Sequence, residues 1–167
     1  MTLHKPHDAR ALRGALGAFA TGVTVITTRD AAGEPVGNTA SSFNSVSLDP
    51  PLILWSLRKS AYSYKTFLAA GHFAVNVLAD DQEPLSVRFA QTSVNKWEGV
   101  EYETSSTGLP LLPGAIAVFE CKSAYTYQGG DHVIIVGEVL RCRHDPDRKP
   151  LIFWRGNYHN LIVHSDD

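Results

Sequence analysis

Cysteine is scarce in this chain of 167 residues, and its scarcity argues against two classes of small protein. The two cysteines, Cys121 and Cys142, do not form a CxxC pair, so neither a disulfide framework nor a zinc site is expected. Both lie among apolar residues, which predicts buried free thiols. Free thiols fit a reducing compartment, and we expect the protein to be cytoplasmic.

Long apolar runs and an excess of charge of one sign are also lacking. No apolar stretch approaches the roughly 20 residues of a membrane-spanning helix, and the opening MTLHKPHDAR has no apolar core of a signal peptide. Lys and Arg number 15 against 17 Asp and Glu, a formal net charge of -2. Because phosphate binding favours a basic excess, we expect neither a nucleic-acid nor a membrane partner.

The usual dinucleotide-binding motif is also absent. No GxGxxG follows a predicted strand, so any nucleotide must be held in another way. Hydrophobic residues are 44% of the chain and charged residues 19%, which is typical of a globular protein with a substantial core.

The chain is predicted to alternate mostly between strands, with a few helices between them. Helices are expected at 8–20, 60–71 and 81–91, with N-caps at Asp8, Ser60, and Asp80 or Asp81. A long loop with Trp97 as a plug is expected at 92–113. Strands are expected at 23–28, from 36, and at 50–57, 72–80, 115–128, 131–144 and in the final segment 150–161. This order indicates an antiparallel barrel or sandwich with peripheral helices.

The stretch GNTASSFNSVS, residues 37–47, carries no charged side chain and is crowded with small hydroxyls and amides. A buried strand would favour Val and Ile, and a surface loop would favour charge, Gly or Pro. One reading is an edge strand that satisfies itself through local side-chain bonds. The other is a surface that binds a flat, neutral ligand close to the backbone.

Five blocks together resemble the short-chain flavin reductase family, whose fold is an FMN-binding split barrel. They are FATGVTVITT, GNTASSFNSVSLDPPLILWSL, FAVNVLA, GGDHVIIVGEV and PLIFWRGNY, in this order. The resemblance covers about residues 12–161 and implies a single domain over 1–167, a mainly β, antiparallel split β-barrel with a few peripheral helices. It implies reduction of FMN or FAD by NADH or NADPH, a homodimer, and a partner oxygenase that receives reduced flavin.

The resemblance assigns the flavin to the uncharged stretch. Small side chains let the ring approach the strand backbone, and neutral groups bond its edge. The residues predicted for this are Asn38, Thr39, Ala40, Ser41 and Ser42.

The flavin phosphate and tail are assigned to two further segments. In SLRKSAYSY, Ser60 and then Ser63 are predicted to bind the phosphate beside Arg58 and Lys59, although an ordinary N-cap is the plainer reading. In VRFAQ, Arg88 is predicted to pair with a phosphate and Phe89 to pack on the nucleotide, with a core role for Phe89 left open.

The resemblance assigns the nicotinamide to His132, in GGDHV. A strand that starts after a Gly-Gly turn can project its first side chain into a cleft, although a surface histidine is the plainer reading. Tyr158 is predicted to stack on a ring or bond through its phenol. Asp131 is expected to be a turn residue, and no metal is expected. The alternatives are a flavin- or haem-binding split-barrel protein without turnover, or another reductase or oxidase on the same barrel.

Overall fold

A computed structural model of the chain describes residues 8–92 and 95–162. The opening segment, where no signal peptide is predicted, lies largely outside these residues. The helices are α1 Ala9–Leu16, α2 Tyr64–Ala69 and α3 Glu83–Ala90. The strands are β1 Thr21–Gly22, β2 Thr24–Arg29, β3 Pro35–Ala40, β4 Asn44–Leu48, β5 Pro51–Arg58, β6 His72–Val77, β7 Glu103–Thr104, β8 Pro110–Leu111, β9 Ala117–Gly129, β10 His132–His144, β11 Leu151–Trp154 and β12 Asn157–Asn160.

The main sheet has seven antiparallel strands in the order β3-β2-β6-β9-β10-β5-β4. Its two outer strands, β3 and β4, are separated along the chain by residues 41–43 alone. Ser42 connects this corner to β5: its hydroxyl accepts the Ser56 N–H at 2.9 Å and donates to the Ser56 carbonyl oxygen at 3.3 Å. The two edges of the sheet therefore meet at a short corner, and the predicted antiparallel barrel is confirmed.

The core confirms the strand periodicity. β5 alternates so that Ile53, Trp55 and Leu57 are buried. Trp55 makes edge-on contacts with Phe67 of α2 and Phe73 of β6, with ring centroids 5.0 and 5.9 Å apart. The core is thus filled by large side chains from the strands of the barrel and from α2 and α3, which contribute Phe67 and Phe89.

Both predicted hairpins form. Between β2 and β3, the Asp30 carboxylate accepts the N–H groups of Ala32 and Glu34 at 2.9 Å each. Between β9 and β10, Gly130 has φ 68°, the positive value that glycine adopts without strain. The second hairpin places His132 at the first position of β10.

Several local predictions are wrong. The second helix begins at Tyr64, not at Ser60, and the third is preceded by Gln82, with neither Asp80 nor Asp81 capping it. Segment 92–113 contains a short hairpin of β7 and β8, although its Trp97 does cover the core, edge-on to Phe89 at 4.8 Å. The last segment is a hairpin of β11 and β12 rather than one strand. Among the described residues, no helix has the length and apolar character needed to cross a membrane.

The prediction of two buried thiols is half wrong, because Cys121 is buried and Cys142 is exposed. Burial, with the nearby Glu120 charge second, raises the pKa of Cys121 to about 12. Since the thiolate is the reactive species, Ellman's reagent at pH 8 should titrate one thiol per native chain and two after unfolding. Cys142→Ser should leave none in the native protein, and a reactive thiol in that variant would contradict the burial of Cys121.

Gly37 on β3 is required by close packing. A Cβ at this position would lie 2.5 Å from Cε1 of Phe89, and Phe89 is itself held against Trp97. Gly37→Ala should therefore lower the free energy of unfolding by about 1–3 kcal/mol, as overpacking usually does. Urea denaturation measures the change.

Gly14→Ala is the matched control, because an added Cβ there meets nothing within 4 Å. Ala is favoured over Gly inside a helix by roughly 0.5–1 kcal/mol, so this variant should be as stable as the parent or more so. Equal urea midpoints for Gly37→Ala and Gly14→Ala would mean that the Phe89 ring moves aside without a cost in stability.

Candidate active site

An open cleft of about 560 Å³ lies beside the end of β3. Residues from α3, β5, β10 and the β11–β12 hairpin complete its walls, and no Asp or Glu is among them. The lining residues are Val23, Asn38, Thr39, Ala40, Ser41, Ser42, Ser56, Arg58, Ser60, Ala61, Tyr62, Ser86, Ala90, Gln91, Thr92, Lys96, His132, Phe153 and Tyr158.

The wall formed by β3 is an edge of the sheet. Among the described residues, β3 pairs with β2 alone, so backbone N–H and C=O groups along its other side are not used by a neighbouring strand of that part of the chain. Thr39 and Ala40 lie where this edge meets the cleft. The arrangement lets a flat ligand lie against the backbone and bond to it.

A chain of hydrogen bonds fixes this wall. The Thr39 hydroxyl donates to the Ser86 carbonyl oxygen at 2.7 Å, and the Ser86 and Tyr158 hydroxyls lie 2.7 Å apart. The Tyr158 ring also packs against Phe153, with centroids 5.3 Å apart. β3, α3 and β12 are thereby held in one geometry around the cleft.

Two predicted hydroxyls are available to a ligand. Among the described residues, Ser41 and Ser60 have no hydrogen-bond partner for their side chains, whereas Ser42 is occupied at the barrel corner. Asn38 donates to the Thr39 carbonyl oxygen at 3.0 Å, which leaves its amide oxygen as an acceptor. The cleft therefore offers neutral donors and acceptors at several points.

A fixed turn presents His132, which also lines the cleft. The Lys59 N–H donates to the Asp131 carbonyl oxygen at 2.9 Å, and the Lys59 ammonium donates to the Gly130 carbonyl oxygen at 2.7 Å. Nδ1 of His132 lies 2.8 Å from the Asp131 carboxylate. The hydrogen bond from His132, and then its charge, hold the pKa of Asp131 below its usual value.

This pairing defines the histidine's chemistry. When Nδ1 donates to the Asp131 carboxylate, the neutral form of the ring has Nε2 as its acceptor, and His132 lines the cleft. Asp131, predicted to be a turn residue, therefore also orients His132.

Of the predicted site residues, eight line the cleft and three do not. Ser63 is buried with its hydroxyl unpartnered among the described residues. Arg88 donates to the Glu98 carbonyl oxygen and lines a different cleft. Phe89 is completely buried beneath Gly37. The eight are Asn38, Thr39, Ala40, Ser41, Ser42, Ser60, His132 and Tyr158.

Sequence reasoning missed several lining residues, above all Ser86, Ala90 and Lys96. Ser86 and Ala90 are four residues apart and small, which places them on one face of α3. This spacing of two small residues was the feature of the sequence that could have identified them as lining residues. Nothing in the sequence marked Lys96, whose position depends on the packing of segment 95–100.

A barrel with an open cleft beside an uncharged edge strand is the arrangement that the resemblance to flavin-dependent oxidoreductases with a split-barrel fold implies. A family model described as the flavin reductase like domain matches residues 16–161. The chain therefore belongs to the flavin-reductase-like family, as the sequence resemblance predicts.

Named relatives span most of the chain. The FMN reductase (NADH) SmoA of Agrobacterium fabrum (strain C58) is 48% identical over 151 residues, which are 90% of this chain and 85% of that protein. The flavin-dependent monooxygenase reductase subunit HsaB of Rhodococcus jostii (strain RHA1) is 39% identical, over 90% of this chain and 77% of that protein. The NADH:FAD oxidoreductase SgcE6 of Streptomyces globisporus C-1027, solved with NAD and FAD fragments, superposes with a TM-score of 0.94 at 39% identity, over 99% of this chain and 100% of that chain.

The residues of the cleft fit a flavin. Its volume lies within the roughly 300–1,000 Å³ of small-molecule sites. The β3 edge and the free Ser41 hydroxyl suit the N–H and C=O groups of a pyrimidine ring, and no carboxylate opposes a phosphate. Among the described residues, no group of three or more His, Cys, Asp or Glu side chains is placed to hold a metal ion.

Proposed function

We propose that this chain is an NAD(P)H:flavin oxidoreductase that binds FMN or FAD in the cleft beside β3. The observation that carries the proposal is the cleft itself, which is lined by a neutral strand edge and by His132 and has no acidic side chain among its lining residues. The two coenzymes supply the chemistry, in which NAD(P)H, a proton and oxidised flavin give NAD(P)⁺ and reduced flavin by hydride transfer from C4 to N5.

The protein contributes position and hydrogen bonds. The β3 edge and Ser41 bind the polar rim of the flavin, and Ser60 binds its tail. His132 orients the nicotinamide through Nε2, which accepts an N–H of the carboxamide. Tyr158 and Ser86 keep the wall rigid, so the two flat rings can be held face to face.

Reduced flavin is proposed to pass to a partner monooxygenase. The relative HsaB is named as the reductase subunit of such an enzyme. The width of the cleft and its opening to solvent favour exchange of the flavin.

The protein is further proposed to be a single-domain, cytoplasmic homodimer. Leu48, at the end of the edge strand β4, is 95% exposed, and Val46 on the same strand is 49% exposed. Exposed apolar residues at a sheet edge favour burial against a second copy. Sedimentation equilibrium measures the mass of the particle in solution and so tests the dimer.

The cytoplasmic location is supported by the two free cysteines, because unpaired thiols persist in a reducing compartment.

Anaerobic turnover tests the central proposal. The purified protein is mixed with NADH, or in parallel with NADPH, and FMN or FAD in excess. Bleaching at the flavin absorbance maximum over many turnovers is expected. Flavin that binds without turning over would instead indicate a flavin-binding protein, and no flavin binding at all would remove the proposal.

A further inference from the structure

Arg58 is a cation of the cleft whose guanidinium has no hydrogen bond or ion pair within residues 8–92 and 95–162. It is the last residue of β5, it is exposed, and it lines the cleft beside β3. The described residues that line this cleft include no Asp or Glu that could neutralise it. A guanidinium carries five N–H donors in a planar fork that matches phosphate oxygens. Arg58 is therefore available to an anionic ligand.

The sheet places Arg58 next to His132. The two residues are directly opposite each other in the antiparallel pair of β5 and β10, so their side chains project from the same face of the sheet. Both line the cleft. Arg58 also contributes to the low pKa of Asp131, after the larger effects of the hydrogen bond and the charge of His132. The guanidinium therefore lies at the end of the cleft where His132 is proposed to hold the nicotinamide.

The charged neighbours of Arg58 are bound to other groups. Lys59, the next residue, donates from its ammonium to the Gly130 carbonyl oxygen at 2.7 Å. The Asp131 carboxylate, which could pair with Arg58, lies 2.8 Å from Nδ1 of His132 instead. Neither side chain occupies the guanidinium, so its N–H groups remain open to a ligand beside the histidine.

We propose that Arg58 binds the pyrophosphate of the nicotinamide nucleotide while His132 holds its carboxamide. This assignment rests on the proposed function, since it takes NADH or NADPH to be the hydride donor. In both nucleotides a single ribose separates the nicotinamide from the pyrophosphate, so a ring held at His132 brings the pyrophosphate within reach of the neighbouring side chain. The 2′-phosphate of NADPH lies on the adenosine ribose, farther from the ring. Arg58 is therefore expected to act equally on the two nucleotides.

Steady-state kinetics at saturating FMN with two hydride donors tests this assignment. NADH carries the pyrophosphate, whereas dihydronicotinamide riboside has the same ring and ribose and no phosphate. Arg58→Gln should raise the KM for NADH about tenfold, as expected for the loss of a hydrogen bond to a charged group at an exposed position. The KM for dihydronicotinamide riboside should stay within about twofold of the parent. The kcat should change little, because the pyrophosphate contact is the same in the ground and transition states.

The charge of Arg58 gives two further expectations. Arg58→Lys should restore part of the NADH affinity, because it keeps the charge and loses the planar fork. Added salt should raise the KM for NADH more in the parent than in Arg58→Gln, because an exposed charge is screened.

Binding without turnover supplies a second readout. Isothermal titration calorimetry of the FMN-loaded protein with NAD⁺ should show about the same tenfold loss of affinity in Arg58→Gln. Arg10→Gln is the matched control, because Arg10 is exposed on α1 and does not line the cleft. It should leave the KM for NADH and the NAD⁺ affinity unchanged.

Several results would overturn the assignment of Arg58. One is an unchanged KM for NADH, and another is an equal rise for both hydride donors, which would show that Arg58 acts on the ring or on the turn. A rise confined to NADPH would assign Arg58 to the 2′-phosphate. Weaker binding of FMN with unchanged binding of riboflavin would assign it to the flavin phosphate. A parent that binds NAD⁺ without reducing flavin would instead reject the proposed function, and the calorimetry would still decide the role of Arg58.

Discussion

Replacing Ser41 by Trp should weaken flavin binding at least about 100-fold, the equivalent of losing about 2.7 kcal/mol of ring contacts and edge hydrogen bonds. Ser41 immediately follows β3 and lines the cleft, and its hydroxyl has no partner among the described residues. An indole at this position fills the space that the ring requires. Because Ser41 is exposed and not part of the core, the fold should be retained.

Titration of FMN against the variant, followed by flavin fluorescence, measures the loss. Ala31→Trp is the control, since Ala31 is exposed in the turn between β2 and β3 and does not line the cleft. It should bind FMN like the parent. If Ser41→Trp also binds FMN like the parent, with an unchanged melting temperature, the flavin does not lie beside residues 37–47.

The strands could be predicted where local pattern and tertiary packing agree. On β5, alternation alone identifies Ile53, Trp55 and Leu57 as buried, since one face of the strand meets the core. The turns at Asp30 and Gly130 follow from residues that favour them chemically. Neither inference needs knowledge of distant parts of the chain.

The helix start at Ser60 was wrong because long-range bonds override a local signal. The segment has a capping residue and an apolar stripe, which favour a helix. The Lys59 N–H instead bonds to Asp131 across the sheet, and the Ala61 N–H bonds to the carbonyl oxygen of Arg58 in a turn. The backbone is thereby held as a connection at the cleft wall, and the helix is delayed to Tyr64.

Cys142 illustrates a second limit of predicting burial from the sequence. Its neighbours suggest burial, yet β10 changes from buried to exposed along its length, and Leu140 is already 46% exposed. The pairing of β10 with β5 ends at Glu138, so residues 141–144 of β10 pair with β9 and no longer with β5. Which part of a long strand is covered depends on its partners, and the residues of the strand itself do not show this.

The face of α3 that meets the cleft was likewise not predictable from the helix alone. Arg88 and Phe89 have the more conspicuous chemistry, but Phe89 packs beneath Gly37 and Ser86 faces Tyr158. A helical period defines which residues share a face. Only the packing of α3 against β3 decides which face lines the ligand site.

Replacing His132 by Ala should raise the KM for the nicotinamide nucleotide by about tenfold, the value of one well-placed hydrogen bond. The flavin dissociation constant should change little, because the flavin is assigned to the β3 wall. Removal of a contact that is made equally in the ground and transition states changes KM more than kcat. Steady-state kinetics at saturating FMN, with flavin titration in parallel, separates these quantities.

Asp131→Asn supplies the sharper comparison, because it keeps His132 and alters only the partner of Nδ1. An amide can accept the same N–H or donate to Nδ1, so the ring loses the single tautomer that leaves Nε2 as an acceptor. This variant should raise the same KM by a smaller factor than His132→Ala. A double variant no worse than His132→Ala would show that Asp131 acts through the histidine. A KM unchanged in both single variants would remove His132 from the nicotinamide site, and the turn at Gly130 would then be explained by the hairpin alone.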